Sequence, residues 1–180
     1  MIVVITQPFF FEGEAAAIAD YLESGRADRV HLRKPGAGAA ELERLLRQLP
    51  AACLGRMVMH EHFELAGKYG LCGIHLNRRC PEAPPSWTKG VSVSCHSLEE
   101  LALRRREAFD YLSLSPVFDS ISKPGYQAAF SAEVLEDARR QGLIDSRVLA
   151  LGGVTFDRVP EVLAMGFGGA MILGDAWKSY

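Results

Sequence analysis

The sequence predicts an α/β fold in which eight parallel strands and the helices between them close into a compact TIM-type (β/α)8 barrel. Eight short apolar or β-branched runs, bounded by glycine, proline or polar residues, have the length and composition of buried parallel strands. Helical patterns lie between most of them, and regular alternation of strand and helix is typical of a parallel sheet. Eight strands favour a closed barrel over an open sheet. The predicted strands cover 2–6, 29–32, 56–59, 73–76, 90–94, 110–115, 148–151 and 169–173.

Helix boundaries follow from apolar spacing, from N-terminal serines and from terminal glycines. Leucines at positions i, i+3, i+4 and i+7 make the segment 40–49 amphipathic, and Ser97 followed by Glu100 fits the capping box of a later helix. Further helices are predicted over 14–22, 131–140 and 158–165. The inward face of the helix over 131–140 is predicted to consist of Val134, Leu135 and Ala138.

The predicted barrel is short because it lacks two of the usual helices. The segment 78–89 contains three prolines and cannot form a normal fourth helix, and only 176–180 remain beyond the eighth strand. A complete barrel rarely takes fewer than about 200 residues, so this length fits a loop in place of the fourth helix and a largely absent eighth helix. We expect the apolar surface left by the eighth helix to be covered by Trp177, by the phenylalanines at 9–11 or by a second subunit of a homo-oligomer, unless the chain is a piece of a longer protein.

Composition predicts a single domain over 1–180 that binds neither nucleic acid nor a membrane. The chain is 48% hydrophobic and 23% charged, and 20 basic against 22 acidic side chains give a formal net charge of −2. Proteins that coat nucleic acid or anionic membranes need a basic surplus, which is lacking here. No apolar run approaches the roughly 20 residues of a membrane helix. The absence of a basic leader and of CxxC pairs favours free thiols in the cytoplasm.

Cations, hydroxyls and glycines follow the predicted strands, at the end of a barrel where function gathers. This composition predicts a phosphorylated small-molecule ligand. Gly152 and Gly153 follow the seventh strand and Gly174 the eighth. Glycine lets backbone N–H groups approach a phosphate, although these glycines also suit tight turns. Asp175 would repel a phosphate unless its carboxylate points away or caps a helix.

Two further segments are candidates for anion binding. Arg33 and Lys34 follow the second strand, where Arg33 can bind phosphate oxygens as a bidentate fork and Lys34 as a point charge, unless both are a solvated surface pair. Ser120, Ser122 and Lys123 follow the sixth strand and form a candidate anion cradle, in a segment whose composition also fits an ordinary turn.

The third strand is followed by His60-Glu61-His62. Alternate residues of a strand share one face, so the two imidazoles could converge, although a metal site from these two alone lacks ligands. We therefore expect Glu61 to assist Mg²⁺ through phosphate and water, and His60 is a candidate general base. His75 and His96 are expected to lie in the core or behind the site.

Together these segments resemble the thiamin phosphate synthase/TenI family of barrels. The likeness runs through nearly the whole chain in order, in VHLRK from Val30, HEHFELA from His60, GIHL from Gly73, SVSCHS from Ser92, the segment 110–118, SISK from Ser120 and LALGGV from Leu149. The resemblance implies a transferase of thiamin biosynthesis. Such a synthase couples a hydroxymethylpyrimidine diphosphate to a thiazole phosphate and releases pyrophosphate, with Mg²⁺ as its cofactor.

The candidate site residues fall into three groups once the resemblance is carried over position by position. The residues expected at the substrate diphosphate are Arg33, Lys34, His60, Ser94 and Lys123, and all but Lys34 are candidate catalytic residues. The residues expected at the thiazole phosphate are Ser120, Ser122, Gly152, Gly153, Leu173 and Gly174. The expected metal ligands are Glu61 and Cys80.

The chain departs from the family pattern in ways that leave three functions open. His60-Glu61 stands where the family has Asn-Asp, Cys80 stands where a second aspartate binds magnesium, and Pro35 replaces a lysine. TenI-type thiazole tautomerases place a catalytic histidine where this chain has Pro116, as synthases do. The alternatives to a synthase are a TenI-like tautomerase that uses His60 and a noncatalytic barrel that binds thiazole or thiamin phosphate.

Overall fold

A computed structural model describes residues 1–119 and 128–180. The eight strands follow one another in chain order in a closed barrel, and every described pair is parallel. The predicted barrel is therefore confirmed, and each strand agrees with its predicted range to within one residue at either end. The strands are β1 Ile2–Ile5, β2 Arg29–Leu32, β3 Met57–Met59, β4 Gly73–Leu76, β5 Gly90–Cys95, β6 Tyr111–Leu114, β7 Val148–Ala150 and β8 Gly169–Ile172.

The chain divides into two compact units, Val3–Val91 and Met1–Ile2 together with Ser92–Tyr180. In the first unit the segment from Leu76 to Gly90 contains turns and no helix, so the predicted loop in place of the fourth helix is confirmed. The indole N–H of Trp87 donates to the Gly90 carbonyl at 3.1 Å and ties this loop to the start of β5. The helices of this unit are α1 Glu14–Glu23, α2 Ala39–Leu46, α3 Ala51–Leu54 and α4 Phe63–Lys68.

Proline ends the leucine-rich helix of the first unit earlier than predicted. The pattern predicts one helix over 40–49, whereas α2 ends at Leu46 and α3, which the sequence analysis did not identify, begins after Pro50. A residue before proline is disfavoured in helical conformation, so the chain must leave the helix before Leu49 and can start a new turn only after it. Leu49 is nevertheless buried, as the apolar spacing requires.

In the second unit, serines begin two of the three helices. Ser97 accepts a hydrogen bond from Glu100 N, and Ser131 accepts one from Val134 N. These bonds satisfy backbone donors that a helix start leaves unpaired. The Glu100 carboxylate accepts from His96 N at 2.7 Å, one residue before the cap that a capping box would use. The helices are α5 Leu98–Arg104, α6 Ala132–Arg140 and α7 Val159–Ala164.

The eighth helix is reduced to the 3-10 turn Asp175–Trp177, as predicted. Trp177 is buried, whereas Phe9 and Phe10 are exposed, so the tryptophan fits the expected covering role and these phenylalanines do not. None of the helices formed by the described residues has the length and apolar character needed to cross a membrane. The single domain over 1–180 and the homo-oligomer stay predictions.

The inward face predicted for α6 is wrong at one position. Leu135 and Ala138 are buried, but the side chain of Val134 is exposed, with a relative accessibility of 42%. Residues three apart lie on one face of a helix, whereas neighbours differ by about 100°. Leu135 and Ala138 therefore define the buried face, and Val134 lies beside it.

Truncation of these two neighbours should separate a buried from an exposed contact. We expect Leu135→Ala to lower the free energy of unfolding by about 2–5 kcal/mol, because it removes buried methyl groups and leaves a cavity. Val134→Ala, the matched control, should change it by no more than about 0.5 kcal/mol. Denaturant unfolding followed by circular dichroism measures both, and equal losses would contradict the burial assigned to α6.

Candidate functional site

Three histidines lie together in the unit Val3–Val91. His31 is the third residue of β2, His75 is the third residue of β4, and His60 directly follows β3. All three are buried, and His31 Nδ1 lies 2.9 Å from His60 Nε2. The rings of His60 and His75 stack with centroids 4.4 Å apart, and the His31 centroid lies 5.1 Å from each of the other two. Strand pleating and parallel register thus direct three imidazoles to one place.

Burial keeps two of these imidazoles neutral. It lowers the pKa of His31 well below 6.5, and the neighbouring charges of His75 and Arg29 act in the same direction. The pKa of His60 is likewise well below 6.5, first because of burial and then because of His75 and His31. Neutral rings can accept a proton or offer a lone pair at pH 7. The general-base role of His60 stays a prediction, and its closest described partner is His31.

The imidazoles of His60 and His62 do not converge. The strand ends at Met59, so side-chain alternation does not extend to His62, which has a φ of 53° and precedes α4. Its imidazole contacts the Ala37 carbonyl at 3.1 Å and the Glu64 carboxylate at 3.2 Å. Sequence reasoning missed His31 as the true neighbour of His60. The available signal was that His31 and His75 occupy the same position within their strands.

Asn77, which sequence reasoning also missed, connects the ends of β3 and β4. Its side-chain amide donates to the backbone carbonyls of His60 at 3.0 Å and His75 at 3.3 Å. Its Oδ1 accepts from the backbone N–H groups of Arg79 at 2.9 Å and Cys80 at 3.3 Å. One asparagine therefore fixes the backbone of two histidines and the turn that carries Arg79.

Two arginines and one glutamate lie beside the histidines. Arg79 forms a close ion pair with Glu61. The pKa of Arg33 is lowered by burial and by the charge of Arg79, while Glu61 raises it, so the three charges act on one another. Arg33 is half-buried, and within the described ranges no carboxylate pairs with it. Two guanidinium groups and one carboxylate leave one net positive charge, which suits the anion-binding role predicted for Arg33.

The residues expected to hold Mg²⁺ do not fit that ion in this arrangement. Glu61 is engaged by Arg79. Burial raises the pKa of the Cys80 thiol, and the charge of Glu61 raises it further, so the sulfur stays protonated. Mg²⁺ prefers several oxygen ligands in near-octahedral geometry, and a neutral thiol next to a neutralised carboxylate does not provide them. The magnesium prediction therefore stays untested, and the surroundings of Glu61 and Cys80 give it no support.

Lys34 lies away from solvent in a buried ion pair. Its ammonium donates to Glu14 Oε1 and to the Phe9 carbonyl, each at 2.5 Å, and both charged side chains are almost fully buried. Burial raises the pKa of Glu14 and lowers that of Lys34, and in each case it outweighs the attraction between the two. These contacts occupy the positive charge, so the position of Lys34 supports a structural role and gives no support to the predicted diphosphate contact.

The glycines after β7 lie in the unit that contains Ser92–Tyr180 and have left-handed backbone conformations. Gly152 has φ 92° and Gly153 φ 64°. A Cβ at Gly152 would lie 2.7 Å from Pro116 Cα, and one at Gly153 would meet Phe118 and the Asp119 carbonyl. Both glycines are therefore required by close packing. Neither N–H donates to an acceptor in 1–119 or 128–180, which is compatible with the predicted phosphate contact.

The Asp175 carboxylate caps a helical turn, which is one of the two arrangements expected to reduce its repulsion of a phosphate. Its Oδ2 accepts from Phe156 N at 2.9 Å, at the start of the 3-10 turn Phe156–Arg158, and its Oδ1 pairs with Lys178 at 2.8 Å. Burial raises the pKa of this carboxyl, but the hydrogen bonds from Lys178 and Phe156 N outweigh it and leave the pKa lowered. Leu173 and Gly174, which precede it, directly follow β8.

The remaining predicted site residues are only partly described. Ser94 lies in β5 in register with Ser113 of β6 and is partly accessible. Ser120, Ser122 and Lys123 lie outside the described residues. A cleft of about 410 Å³ is lined by Phe118, Arg158 and residues of α6 and α7, and none of the predicted site residues that the structure describes lines it.

Comparison with known proteins decides the family. The sequence profile of the family described as "Thiamine monophosphate synthase" matches residues 2–174. The chain belongs to the thiamine monophosphate synthase family. It is 25% identical to the thiamine-phosphate synthase of Bacillus licheniformis over 177 residues, which cover 93% of this chain and 79% of that protein. It is 28% identical to the thiamine-phosphate synthase of Listeria welshimeri over 154 residues, which cover 78% and 74%.

Solved structures agree with this assignment. The thiamine phosphate pyrophosphorylase of Bacteroides thetaiotaomicron has 41% sequence identity and a TM-score of 0.88, over 99% of this chain and 85% of that one. The enzyme of the same name from Pyrococcus furiosus has 22% identity and a TM-score of 0.73, over 96% and 84%, and shows similarity of fold alone. Within the thiamine monophosphate synthase family, this chain combines a close Glu61–Arg79 pair with three clustered imidazoles.

The buried Lys34–Glu14 pair gives a stability prediction. We expect Glu14→Ala to lower the free energy of unfolding by about 3–5 kcal/mol, because it leaves the Lys34 ammonium buried without its partner. The double variant Glu14→Leu with Lys34→Met should be as stable as the wild type or more so, since burial disfavours both charges. Denaturant unfolding at pH 7 measures these changes.

The exposed Glu136 provides the control for this measurement. It pairs with Arg139 at 2.8 Å on the surface of α6. Glu136→Ala should have little effect, because solvent screens an exposed pair. A Glu14→Ala variant no less stable than Glu136→Ala would contradict the buried pairing.

Proposed function

We propose that this chain is a thiamine-phosphate synthase, a transferase that couples a hydroxymethylpyrimidine diphosphate to a thiazole phosphate. The observation that carries the proposal is the 41% identity to a thiamine phosphate pyrophosphorylase over 99% of the chain. In the reaction, the bond between the pyrimidine methylene carbon and the diphosphate oxygen breaks, and pyrophosphate leaves with the electron pair. A new bond then forms between that carbon and the thiazole nitrogen, which becomes positively charged.

Arg33 is the residue whose surroundings best support a role at the diphosphate. A leaving pyrophosphate gains negative charge, so a fixed cation beside it stabilises the transition state more than the ground state. Arg33 is half-buried, and the adjacent Arg79 already neutralises Glu61. The Arg33 guanidinium therefore retains its charge for the substrate, in partly desolvated surroundings where that charge acts more strongly.

The thiazole phosphate is proposed to bind at the glycines after β7. The close packing of Gly152 and Gly153 fixes their backbone, and their N–H groups donate to no described acceptor. Fixed backbone donors bind phosphate without loss of side-chain entropy. The Asp175 carboxylate is engaged by Phe156 N and Lys178, which reduces its repulsion of an anion. The contributions of Leu173, Gly174, Ser94, Ser120, Ser122 and Lys123 stay predictions from the resemblance.

The remaining features of the proposal concern location and partners. We place the enzyme in the cytoplasm, which the four free cysteines support. Its proposed partners are phosphorylated small molecules, and neither nucleic acid nor a membrane has a part in the reaction. A homo-oligomer and the Mg²⁺ requirement stay predictions for direct measurement.

Pyrophosphate release tests the proposed activity. Purified protein given both substrates, with and without Mg²⁺, should release pyrophosphate and form thiamin phosphate above the rate without protein. Arg33→Ala should lower turnover by about 10²-fold or more, the scale of losing one preorganised donor to developing charge. Arg26→Ala is the matched control, because Arg26 lies on the surface and pairs with Asp20 at 3.9 Å.

Two results would overturn these assignments. Absence of product from the wild type in every condition would reject the synthase activity. Equal turnover by Arg33→Ala and Arg26→Ala would remove Arg33 from the diphosphate contact while leaving the activity in place.

A second measurement addresses Glu61 as a magnesium ligand. In calorimetric titrations with Mg²⁺ and pyrophosphate, we expect wild type and Glu61→Ala to bind with affinities within about twofold, because Arg79 already neutralises the Glu61 carboxylate. Glu64→Ala is the control for loss of an exposed carboxylate nearby. A tenfold or greater loss confined to Glu61→Ala would restore Glu61 as a ligand and require Arg79 to release it.

A further inference from the structure

His31, His60 and His75 place three metal-binding atoms close together inside the unit Val3–Val91. One ring nitrogen from each residue lies within 4.8 Å of those of the other two, and all three side chains are buried. Within the described ranges, no other three histidine, cysteine or acidic residues form such a group. The two histidines outside it, His62 and His96, contact Glu64 and Ser115 respectively.

We propose that these three imidazoles form a binding site for a divalent transition-metal ion of the zinc type. Each histidine supplies one nitrogen, and a fourth ligand completes the coordination. The site is distinct in chemistry from the predicted magnesium site, since imidazole suits Zn²⁺, Co²⁺, Ni²⁺ and Cu²⁺, whereas Mg²⁺ prefers oxygen. The proposed reaction names no role for a transition metal, and His60 would then serve as a ligand in place of its predicted role at the diphosphate.

The distances require only small side-chain movements. With zinc–nitrogen bonds of about 2.0–2.1 Å and tetrahedral angles, ligand nitrogens lie about 3.3 Å apart. His31 Nδ1 and His60 Nε2 are 2.9 Å apart, and no pair of ligand atoms in the group exceeds 4.8 Å. Binding therefore requires the His31 and His60 nitrogens to separate slightly, and a pair at the 4.8 Å limit to close by about 1.5 Å.

The backbone of the three histidines is fixed before any ion binds. The His31 carbonyl accepts from Thr6 N at 3.0 Å, and His60 N donates to the Leu32 carbonyl at 3.2 Å. The Asn77 amide holds the carbonyls of His60 and His75. A preorganised backbone lowers the entropy lost when the ligands are ordered around an ion.

The protonation state also favours metal binding. Metal ions bind neutral imidazole, and a protonated ring must first lose its proton. All three rings are buried, and burial favours the neutral over the charged form of an imidazole. The alternative is a metal-free cluster held by the contact between His31 and His60, and a binding measurement separates the two.

The test uses full-length protein freed of metal with a chelator and titrated with Zn²⁺ or Co²⁺ alone, without substrates. We expect one ion per chain by calorimetry and by metal analysis after gel filtration. Single variants His31→Gln, His60→Gln and His75→Gln should each weaken binding at least about tenfold, since loss of a ligand should match or exceed the 10–100-fold cost of losing an outer contact. The matched controls His62→Gln and His96→Gln should bind as the wild type does.

The wild type alone supplies a second readout should the cluster variants fail to fold. X-ray absorption of the zinc-loaded protein should show three imidazole nitrogens at about 2.0–2.1 Å, and bound Co²⁺ should give the intense visible bands of a four-coordinate ion. Fewer than three imidazoles, no stoichiometric ion, or equal affinity in cluster and control variants would overturn the site.

Discussion

The alternation of side chains along parallel strands in register is the constraint on which the arrangement around β2, β3 and β4 depends. His31 pairs with Val58, which lies two residues before His60 and on the same side of the chain. Met59 pairs with Ile74, so His60 and His75, the next residue of each segment, lie side by side. Asn77 then holds the carbonyls of His60 and His75 with one amide. Because the Oδ1 of Asn77 also accepts from Arg79 N, one side chain holds the backbone of two histidines and the turn whose arginine pairs with Glu61.

Much of this architecture was accessible from the sequence because it rests on local rules. Runs of apolar residues located every strand to within one residue, and prolines indicated the loop between β4 and β5. Errors arose where a local rule was extended past the end of its element. Strand alternation was carried beyond Met59 to His62, and the inward face of α6 was widened to include Val134. Tertiary packing decides both where a strand ends and which residues of a helix face the core.

The candidate site was harder to predict because its chemistry depends on pairings between distant residues. The sequence shows a lysine after β2, but only the folded chain brings Glu14 of α1 to 2.5 Å from its ammonium. Glu61 follows β3 at a position expected of a metal ligand. Arg79, in the turn after β4, neutralises its carboxylate. Residue type alone thus identified charged groups correctly and could not assign their partners. Asn77, an uncharged residue with no motif, carried no signal for its central position.

These pairings also bear on the charge available at the proposed diphosphate site. A leaving pyrophosphate needs positive charge, and the source of that charge matters less than its fixed position near the breaking bond. We propose Arg33, half-buried directly after β2, as such a fixed cation. The Glu61–Arg79 pair neutralises a carboxylate that would otherwise oppose the anion, and Arg33 has no carboxylate partner within the described ranges. Burial lowers the pKa of His31 and His60, so these two imidazoles are neutral and add no charge beside Arg33, and the histidine cluster is the proposed site of a softer ion.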